Sequence, residues 1–429
     1  MNQFTFEARQ KTVLIGFMIL GLLCLGISFF ADGGVPFHTR FWTNYLHNTV
    51  FFTGIAFMSL FILSAFTTAW AGWYVNMKRV WEAFSSFMIP GLILLLVVII
   101  GIWGHFHHLY HWTDAEDVAN DPILSGKSGF LNKTWYTLGT LIIVGLWIVF
   151  YQRIRSLSVA EDKEGKGLND GFKHHKKIRI WSAAFLPIAG FSSAAVIWQW
   201  IMSLDAHWYS TLFAWYTGAS WFVAAMALTI MLMIYLKGKG YFTNITADHF
   251  HDMGKFLFGF SIFWTYLWFS QFMLIWYGNV GEETVYFQER MQHYPFLFYA
   301  NLGLNFVLPF FVLMRNDTKR KYGTMFTASL LVFIGHWLDF FLMIKPGARH
   351  TAMEAMHHAG DHAEEAAHHA VGFAMGFTIP GLLEIGTMLG FLAGFLYVAF
   401  YTLSKAKLAP TNDPYIEEAG HHHVWPYID

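Results

Sequence analysis

Long apolar runs alternate with short polar stretches along the whole chain. Each run holds about 20 to 30 residues, and since an α-helix rises about 1.5 Å per residue, each can cross a hydrocarbon layer roughly 30 Å thick. The pattern predicts ten membrane-spanning helices, and the first run is longer than a signal-peptide core, so we expect it to stay in the mature protein. The predicted spans are residues 12–31, 43–73, 82–106, 133–153, 178–204, 210–236, 254–278, 294–314, 322–344 and 376–403.

The composition agrees with this pattern and excludes other classes. Of 429 residues, 55% are hydrophobic and 13% are charged, which is far from the usage of a soluble globular chain. A formal net charge of −1 gives no reason to expect nucleic acid as a partner. Cys24 is the only cysteine, so the chain alone forms no disulfide, zinc ribbon or cysteine-ligated iron–sulfur cluster. The predicted fold class is an all-α membrane protein.

A repeated pattern divides the spans into two similar sets. The segment FFTGIAF at 51–57 is echoed four spans later by WYTGASW at 215–221. Because four is an even number, both copies run in the same direction. We therefore predict two parallel-repeat four-helix bundles with two flanking helices. The predicted divisions are 1–42 (tail, first span and outer loop), 43–209 (first unit), 210–345 (second unit), 346–375 (outer loop rich in His, Ala and Glu) and 376–429 (tenth span and tail).

The cationic residues fall mainly on one side of the predicted spans. With ten spans, 21 of the 27 Lys and Arg lie in the termini and in loops of the same side. The positive-inside rule therefore predicts a multi-pass protein with both termini in the cytoplasm. The outer side is acidic and rich in histidine, which suits either the docking of another protein or a simple tolerance of acids there.

Two carboxylates lie inside predicted spans, where ionisable groups are costly and usually functional. Asp339 is about six residues from the outer end of span nine, and Glu384 is about eight residues into span ten. Both are expected roughly 9 to 12 Å below the outer surface. We expect them to share a site with His336 and to load and release protons. The other interpretation is that Asp339 bonds only to its near neighbours in sequence.

Two further charges occupy matching places at the inner ends of spans three and seven. Glu82 and Lys255 are expected either to pair across the two units or to form the inner mouth of a proton route. The alternative is that each extends its charged end to the membrane surface.

The outer end of span three carries the segment GHFHHLYHW at 104–112. Its His105 and His108, with Asp205 and His207 from the turn between spans five and six, offer proton acceptors beside aromatic walls. A pocket for an aromatic head group that gives up two protons needs such groups. The same residues are also typical of an interfacial aromatic belt.

The outer loop before span ten is almost entirely Ala, His, Glu and Met. His358 and His362 have the i, i+4 spacing of two metal ligands on one helix face. The pattern fits either a divalent metal site or an exposed low-complexity loop, and we predict the loop, with no metal ligand in the chain.

Three long segments carry a resemblance to a known family. They are WQWIMSLDAHWYSTLFAWYTGASW at 198–221, FWTYLWFSQFMLIWYGNVGEE at 263–283 and PGLLEIGTMLGF at 380–391. With the ten-span plan, they resemble the F-type membrane component of bacterial alternative complex III, within the polysulfide-reductase-type family of quinone-interacting membrane subunits. The resemblance covers nearly the whole chain.

The resemblance implies an integral-membrane subunit of a quinol:cytochrome c oxidoreductase in the bacterial inner membrane. Such a subunit contributes a quinone-facing surface, a proton-conducting route, or both, to respiratory electron transfer, and it is not active alone. By the same resemblance, the outer polar cluster comprises His105, His108, Asp205 and His207. The buried proton-handling groups comprise His336, Asp339 and Glu384.

The same resemblance sets the expected cofactors and partners. Quinol or menaquinol is the small-molecule substrate, this chain holds no redox centre of its own, and haem c and iron–sulfur clusters belong to partner subunits. The implied partners are lipid, a homologous ten-span membrane subunit, an iron–sulfur subunit, multihaem and monohaem cytochrome c subunits, and a terminal oxidase. Two alternatives remain open, a proton-coupled secondary transporter and a purely structural membrane scaffold.

Overall fold

Ten long apolar helices make up most of the molecule. The computed structural model describes residues 3–31, 36–357, 376 and 378–424. It is about 81% helical, and no strand occurs in those ranges, so the protein is an all-α, multi-pass membrane protein as the sequence predicts. The spans, in chain order, are α1 (Ala8–Ala31), α2 (Thr39–Thr68), α3 (Val75–Trp103), α4 (Lys133–Glu164), α5 (Lys173–Leu204), α6 (Leu212–Gly238), α7 (Ala247–Gly278), α8 (Pro295–Leu313), α9 (Tyr322–Ala352) and α10 (Leu382–Leu403).

Shorter helices lie in the connections. Two of them, Ala115–Asn120 and Pro122–Lys127, follow α3, and Gly281–His293 links α7 to α8. Asn316–Arg320 links α8 to α9, and Ile416–Gly420 lies in the C-terminal tail.

The predicted outer loop at 346–375 begins too early. The helix that contains α9 runs from Tyr322 to His357 without a break. Two charged residues at the predicted start of that loop find partners in the folded chain. Lys345 Nζ donates to Asn44 Oδ1 at 2.5 Å, and Arg349 donates to Glu289 at 3.3 Å. Residues 358–375, with His358 and His362, lie outside the described residues.

The contacts between helices close two rings of four. In the first ring α2 packs against α3 and α5, and α4 packs against the same two helices. In the second ring α6 packs against α7 and α9, and α8 packs against the same two. The rings meet where α2 contacts α6 and α9 and where α5 contacts α6. These pairings are those that a two-fold axis along the membrane normal would generate. The duplication of sequence behind them stays a prediction.

The flanking helices α1 and α10 pack on each other through glycines. A Cβ added at Gly21 would lie 2.6 Å from the Cα of Gly390, and one added at Gly386 would lie 2.3 Å from Cys24 Sγ. Small residues allow this close backbone approach, which is how helices associate in lipid. The pair joins the first ring because α10 also packs against α2 and α3.

Both ends of the described chain lie at one end of the bundle, which we call the inner end; the opposite end is the outer end. Gln3 forms an isolated antiparallel bridge with Lys407. The tail beyond α10 then crosses the inner end of both rings. Its Asp413 pairs with Lys78 of the first ring at 2.5 Å, and His422 bonds to Asp252 of the second ring at 2.7 Å.

Replacing Gly390 by leucine should separate α1 from α10. We expect the substitution to destabilise the protein by about 1 to 3 kcal/mol, because the added side chain meets backbone that has no room to move. Gly394→Leu is the matched control, since nothing lies within 4 Å of a Cβ there. Thermal unfolding of both purified variants in detergent measures the difference, and equal midpoints would contradict the packing.

Candidate functional site

The core of the second ring holds a buried carboxylate with donors from three other helices. Asp339 on α9 is fully buried and forms no ion pair with any described residue. Its Oδ2 accepts from Ser220 Oγ of α6 at 2.8 Å and from Trp264 Nε1 of α7 at 2.9 Å. Its Oδ1 accepts from Asn301 Nδ2 of α8 at 2.8 Å and from the Tyr216 hydroxyl of α6. Every helix of the ring therefore contributes to one carboxyl group.

Four donors match the number of lone pairs that an ionised carboxylate offers. An isolated charge in hydrocarbon is costly unless hydrogen bonds or a counter-ion replace water. Here neutral donors alone replace water, so Asp339 is not held by a fixed cation. A group in this state can gain a proton without breaking an ion pair.

An irregular stretch of α8 supports this arrangement. The segment Gly303–Val307 is π-helical, and such bulges are frequent at functional sites. Asn305, within this segment, donates to Asn301 Oδ1 at 2.6 Å, which orients the amide that bonds to Asp339. A Cβ added at Gly335 would lie 2.2 Å from Asn305 Oδ1, so only glycine lets α8 approach α9 this closely.

His336 lies one turn from Asp339 and belongs to the same cluster. Its Nδ1 is 2.8 Å from Ser220 Oγ, which also donates to Asp339. The other ring nitrogen, Nε2, is buried and has no hydrogen-bond partner among the described residues. The sequence-based expectation that these two residues share a site agrees with the geometry.

A small cavity lies beside two of the residues that donate to Asp339, on the side of the outer end. It has a volume of about 20 Å³, which is enough for one water molecule, and Tyr216 and Asn301 form part of its wall. Arg290 also lines it, and the Arg290 guanidinium donates to Asp205 Oδ2 at 3.1 Å. Burial alone would lower the pKa of Arg290, but Tyr286 and Asp205 raise it above its ordinary value. A guanidinium that stays charged therefore forms part of the cavity wall.

Glu384 lies in a separate cluster, so the prediction that it shares a site with Asp339 is wrong. Arg40 donates to both Glu384 oxygens, at 2.9 and 3.1 Å, and Asn44 donates to Oε1 at 2.9 Å. Lys345 lies behind Asn44, at 2.5 Å from its Oδ1. The two clusters are separate because Asp339 points from α9 into the second ring, whereas Lys345 points from α9 toward α2. A bidentate guanidinium on Glu384 is the arrangement of a fixed ion pair.

Glu82 and Lys255 do not pair, which corrects the other expected contact. Glu82 is buried in the first ring and accepts from Arg79 at 2.7 Å, from Ser158 at 2.6 Å and from Arg155. The Lys255 side chain is 51% exposed and pairs with Asp252 of its own helix at 2.5 Å. The two residues face different rings, and only Lys255 extends to the surface as the alternative proposed.

The four residues expected to line a quinol pocket are only partly together. His207 bonds to Asp121 at 2.5 Å, and this hydrogen bond lowers the pKa of the partly exposed Asp121 carboxyl. His207 and His108 both lie beside His111, with ring centroids 6.3 and 6.1 Å from it. Burial lowers the pKa of His111 to about 4.

The other two residues of that set turn elsewhere. His105 lies 3.2 Å from Lys133 Nζ, and Asp205 is bound to Arg290 of the second ring. The structure therefore gathers a histidine cluster around His111 and not one pocket around the expected four.

The larger cavities lie away from those histidines. One of about 550 Å³ is formed between the outer end of α7 and helix Gly281–His293, where Phe272 and Trp276 face Gln288 and Gln292. Another of about 190 Å³ lies between Lys127 and Trp198 at the outer end of α5. None of His105, His108 and His207 lines either cavity.

Several residues of these clusters were not identified from the sequence. They are Arg40, Asn44, Arg79, Arg155, Tyr216, Ser220, Trp264, Arg290, Asn301, Asn305 and Lys345. One usable signal was present, because Asn301 and Asn305 form an i, i+4 pair of amides inside an otherwise apolar span. The partners of Asp339 on α6 and α7 carry no comparable signal.

A scan of the chain against known protein families finds no match. A search of curated proteins finds no match either. The fold and the buried clusters define a class, a polytopic helical membrane protein in which one bundle core holds a carboxylate that pairs with no cation among the described residues.

Replacing Glu82 by alanine should destabilise the first ring strongly. The substitution leaves Arg155 and part of Arg79 without their carboxylate, and breaking a buried ion pair from one side costs about 3 to 5 kcal/mol. Lys255→Ala removes an exposed partner and should change stability by less than about 1 kcal/mol. Denaturant unfolding in detergent measures both, and a similar loss in the two variants would contradict the assigned partners.

Proposed function

We propose that this chain is an integral-membrane subunit of a quinol:cytochrome c oxidoreductase similar to alternative complex III. Its contribution is a proton-conducting route through the second ring. The redox part of the proposal rests on the sequence resemblance over residues 198–221, 263–283 and 380–391. The proton part rests on the geometry around Asp339.

The observation that carries the proton route is a buried carboxylate held only by neutral donors. Asp339 has four hydrogen bonds and no ion pair within the described part of the chain. Proton transfer needs a group whose two protonation states are both tolerated in place. The hydroxyls of Tyr216 and Ser220 meet this need, because a hydroxyl can donate to a carboxylate and accept from a carboxylic acid.

The path from Asp339 to the outer end is short. Tyr216 and Asn301 bond to Asp339 and also line the 20 Å³ cavity, and Arg290, which donates to Asp205, lines the same cavity. A water molecule in the cavity would connect the Tyr216 hydroxyl to that outer ion pair.

The geometry favours a proton route over a quinone pocket as the contribution of this chain. Glu384 is tied by Arg40, and two of the four expected quinol ligands, His105 and Asp205, are bound to Lys133 and Arg290. The quinone-facing surface would then belong mainly to the homologous membrane subunit. The haem c and iron–sulfur centres would remain on the other partners.

One observation favours a proton-coupled transporter as the second candidate. Transporters often place a helix irregularity beside their coupling residue, and the π-helical segment of α8 lies next to the residues that bond to Asp339. Purification from native membranes separates the two functions. Haem absorbance and quinol:cytochrome c activity should accompany the chain in the first case and be missing in the second.

Asp339→Asn in the assembled complex should slow proton release into the outer compartment by on the order of tenfold or more, because asparagine cannot carry a proton. Electron transfer to cytochrome c should continue at a lower rate. The measurement is the number of protons released per electron in proteoliposomes, followed with a pH-sensitive dye.

Asp317→Asn is the matched control, since Asp317 is a partly exposed aspartate at the inner end that pairs with Arg315 and Lys321. It should leave the ratio of protons to electrons unchanged. An unchanged ratio in Asp339→Asn, in a complex with its full set of subunits, would remove Asp339 from the route.

A further inference from the structure

The buried charge cluster that contains Glu82 extends to the place where the C-terminal tail meets the inner end of the first ring. Lys78 Nζ of α3 is 2.5 Å from Asp413 Oδ2 of the tail and 3.3 Å from Glu161 Oε2 of α4. Arg79 pairs with Asp162 at 2.5 Å, and Asp162 also accepts from the backbone N–H of Thr411. The tail is therefore fastened to the ring by buried ion pairs.

The charges in this cluster do not balance. The cations are Lys78, Arg79 and Arg155, and the anions are Glu82, Glu161, Asp162 and Asp413. One negative charge is in excess when histidine is neutral. Lys78 outweighs burial and holds the pKa of Asp413 below its ordinary range, so this carboxylate stays ionised. A buried net charge is costly, and a protein normally removes it with a proton or another cation.

His175 of α5 is placed to supply the missing charge. Its Nδ1 is 3.9 Å from Glu161 Oε1 and 3.9 Å from Asp413 Oδ2. Glu161 is 2% exposed and His175 is 7% exposed. Glu161 Oε1 has no hydrogen-bond partner among the described residues, so an acceptor is left open toward the imidazole. The Tyr415 ring covers His175 from the tail side, with centroids 5.7 Å apart.

We propose that the cluster binds one exchangeable proton between His175 and Glu161, and that this proton fastens the C-terminal tail over the inner end of the first ring. A single positive charge cancels the excess, whereas a divalent ion would reverse it. When the tail lifts away, Asp413 leaves with its charge. The remaining groups then balance without the proton, so the open form releases it.

The surrounding charged groups do not supply the missing charge from outside the cluster. Arg179 of α5 stacks on Trp70, with its guanidinium 3.7 Å from the ring centroid, and is partly exposed to solvent. His174 and Glu164 lie 4.0 Å apart, and the Glu164 side chain is 74% exposed. Water screens these groups, while the carboxylates around His175 are buried.

The sign of the pH dependence follows from this proton balance. The closed tail binds one more proton than the open tail, so closure is favoured at low pH and weakens as pH rises. Over the pH range in which the closed form still holds this proton and the open form has released it, the equilibrium constant for opening should rise by up to tenfold per pH unit. The inference uses the inner cluster alone and does not depend on the proposed function.

Hydrogen exchange of the tail amides tests the proposal. Tyr415, Ile416 and Ala419 have hydrogen-bonded amides, and their opening constant is measured from pH 6 to 9 after correction for intrinsic exchange. The full chain in nanodiscs should show the rise in opening with pH. Glu161→Gln removes the excess negative charge and should abolish that rise, while Glu164→Gln, the same change one turn further along α4, should keep it.

Asp413→Asn replaces Glu161→Gln as the test variant if Glu161→Gln does not fold. It also restores charge balance, so its opening constant should not change with pH. Parallel pH profiles in the wild type and in whichever of these variants folds would overturn the proposal. The measurements are made in choline buffer with EDTA. Protection at pH 8.5 that returns with added Na⁺ or Zn²⁺ in the wild type, but not in the variant, would assign a metal cation and also overturn it.

Discussion

The cost of leaving a polar group without water governs where this chain places its charges. In hydrocarbon every donor and acceptor must find a partner inside the protein, and a charge needs either an opposite charge or several dipoles. The structure uses both solutions. Glu82 and Glu384 receive guanidinium groups, whereas Asp339 receives four neutral donors. The choice matters for chemistry, because an ion pair fixes the charged state of a carboxyl group and neutral donors do not.

The two rings are similar in packing, but their buried polar groups lie toward opposite ends. The first ring buries its charged groups at the inner end, around Glu82 and Lys78, and its remaining core is aromatic, with Phe57 stacked on Trp147. The second ring buries its polar cluster further toward the outer end, around Asp339, and the small cavity continues outward from there. Two similar bundles thus place polar interiors toward opposite faces.

The contact between the rings includes hydrogen-bonded polar side chains near the outer end. His47 on α2 bonds to the Trp337 carbonyl at 3.0 Å, and the Trp337 indole donates to Asn48 at 3.1 Å. Further in, the Trp221 indole occupies the space beside Gly54, where a Cβ would lie 1.8 Å from the ring. Dense packing of this kind resists movement of one ring against the other. A function in a fixed assembly agrees with it better than large rocking motions.

The hydrophobic pattern determined the ten spans by itself, because a membrane requires long apolar helices, and the four-span echo anticipated two rings. It also identified Asp339, His336 and Glu384, because an ionisable residue in an apolar run is costly and usually functional. Sequence could not assign their partners. Whether Asp339 and Glu384 meet depends on which face of α9 and α10 turns toward which neighbour, and Glu82 met arginines of its own ring instead of Lys255. Those pairings are set by helix rotation and by contacts such as Gly335 against Asn305, which exist only once the helices are packed.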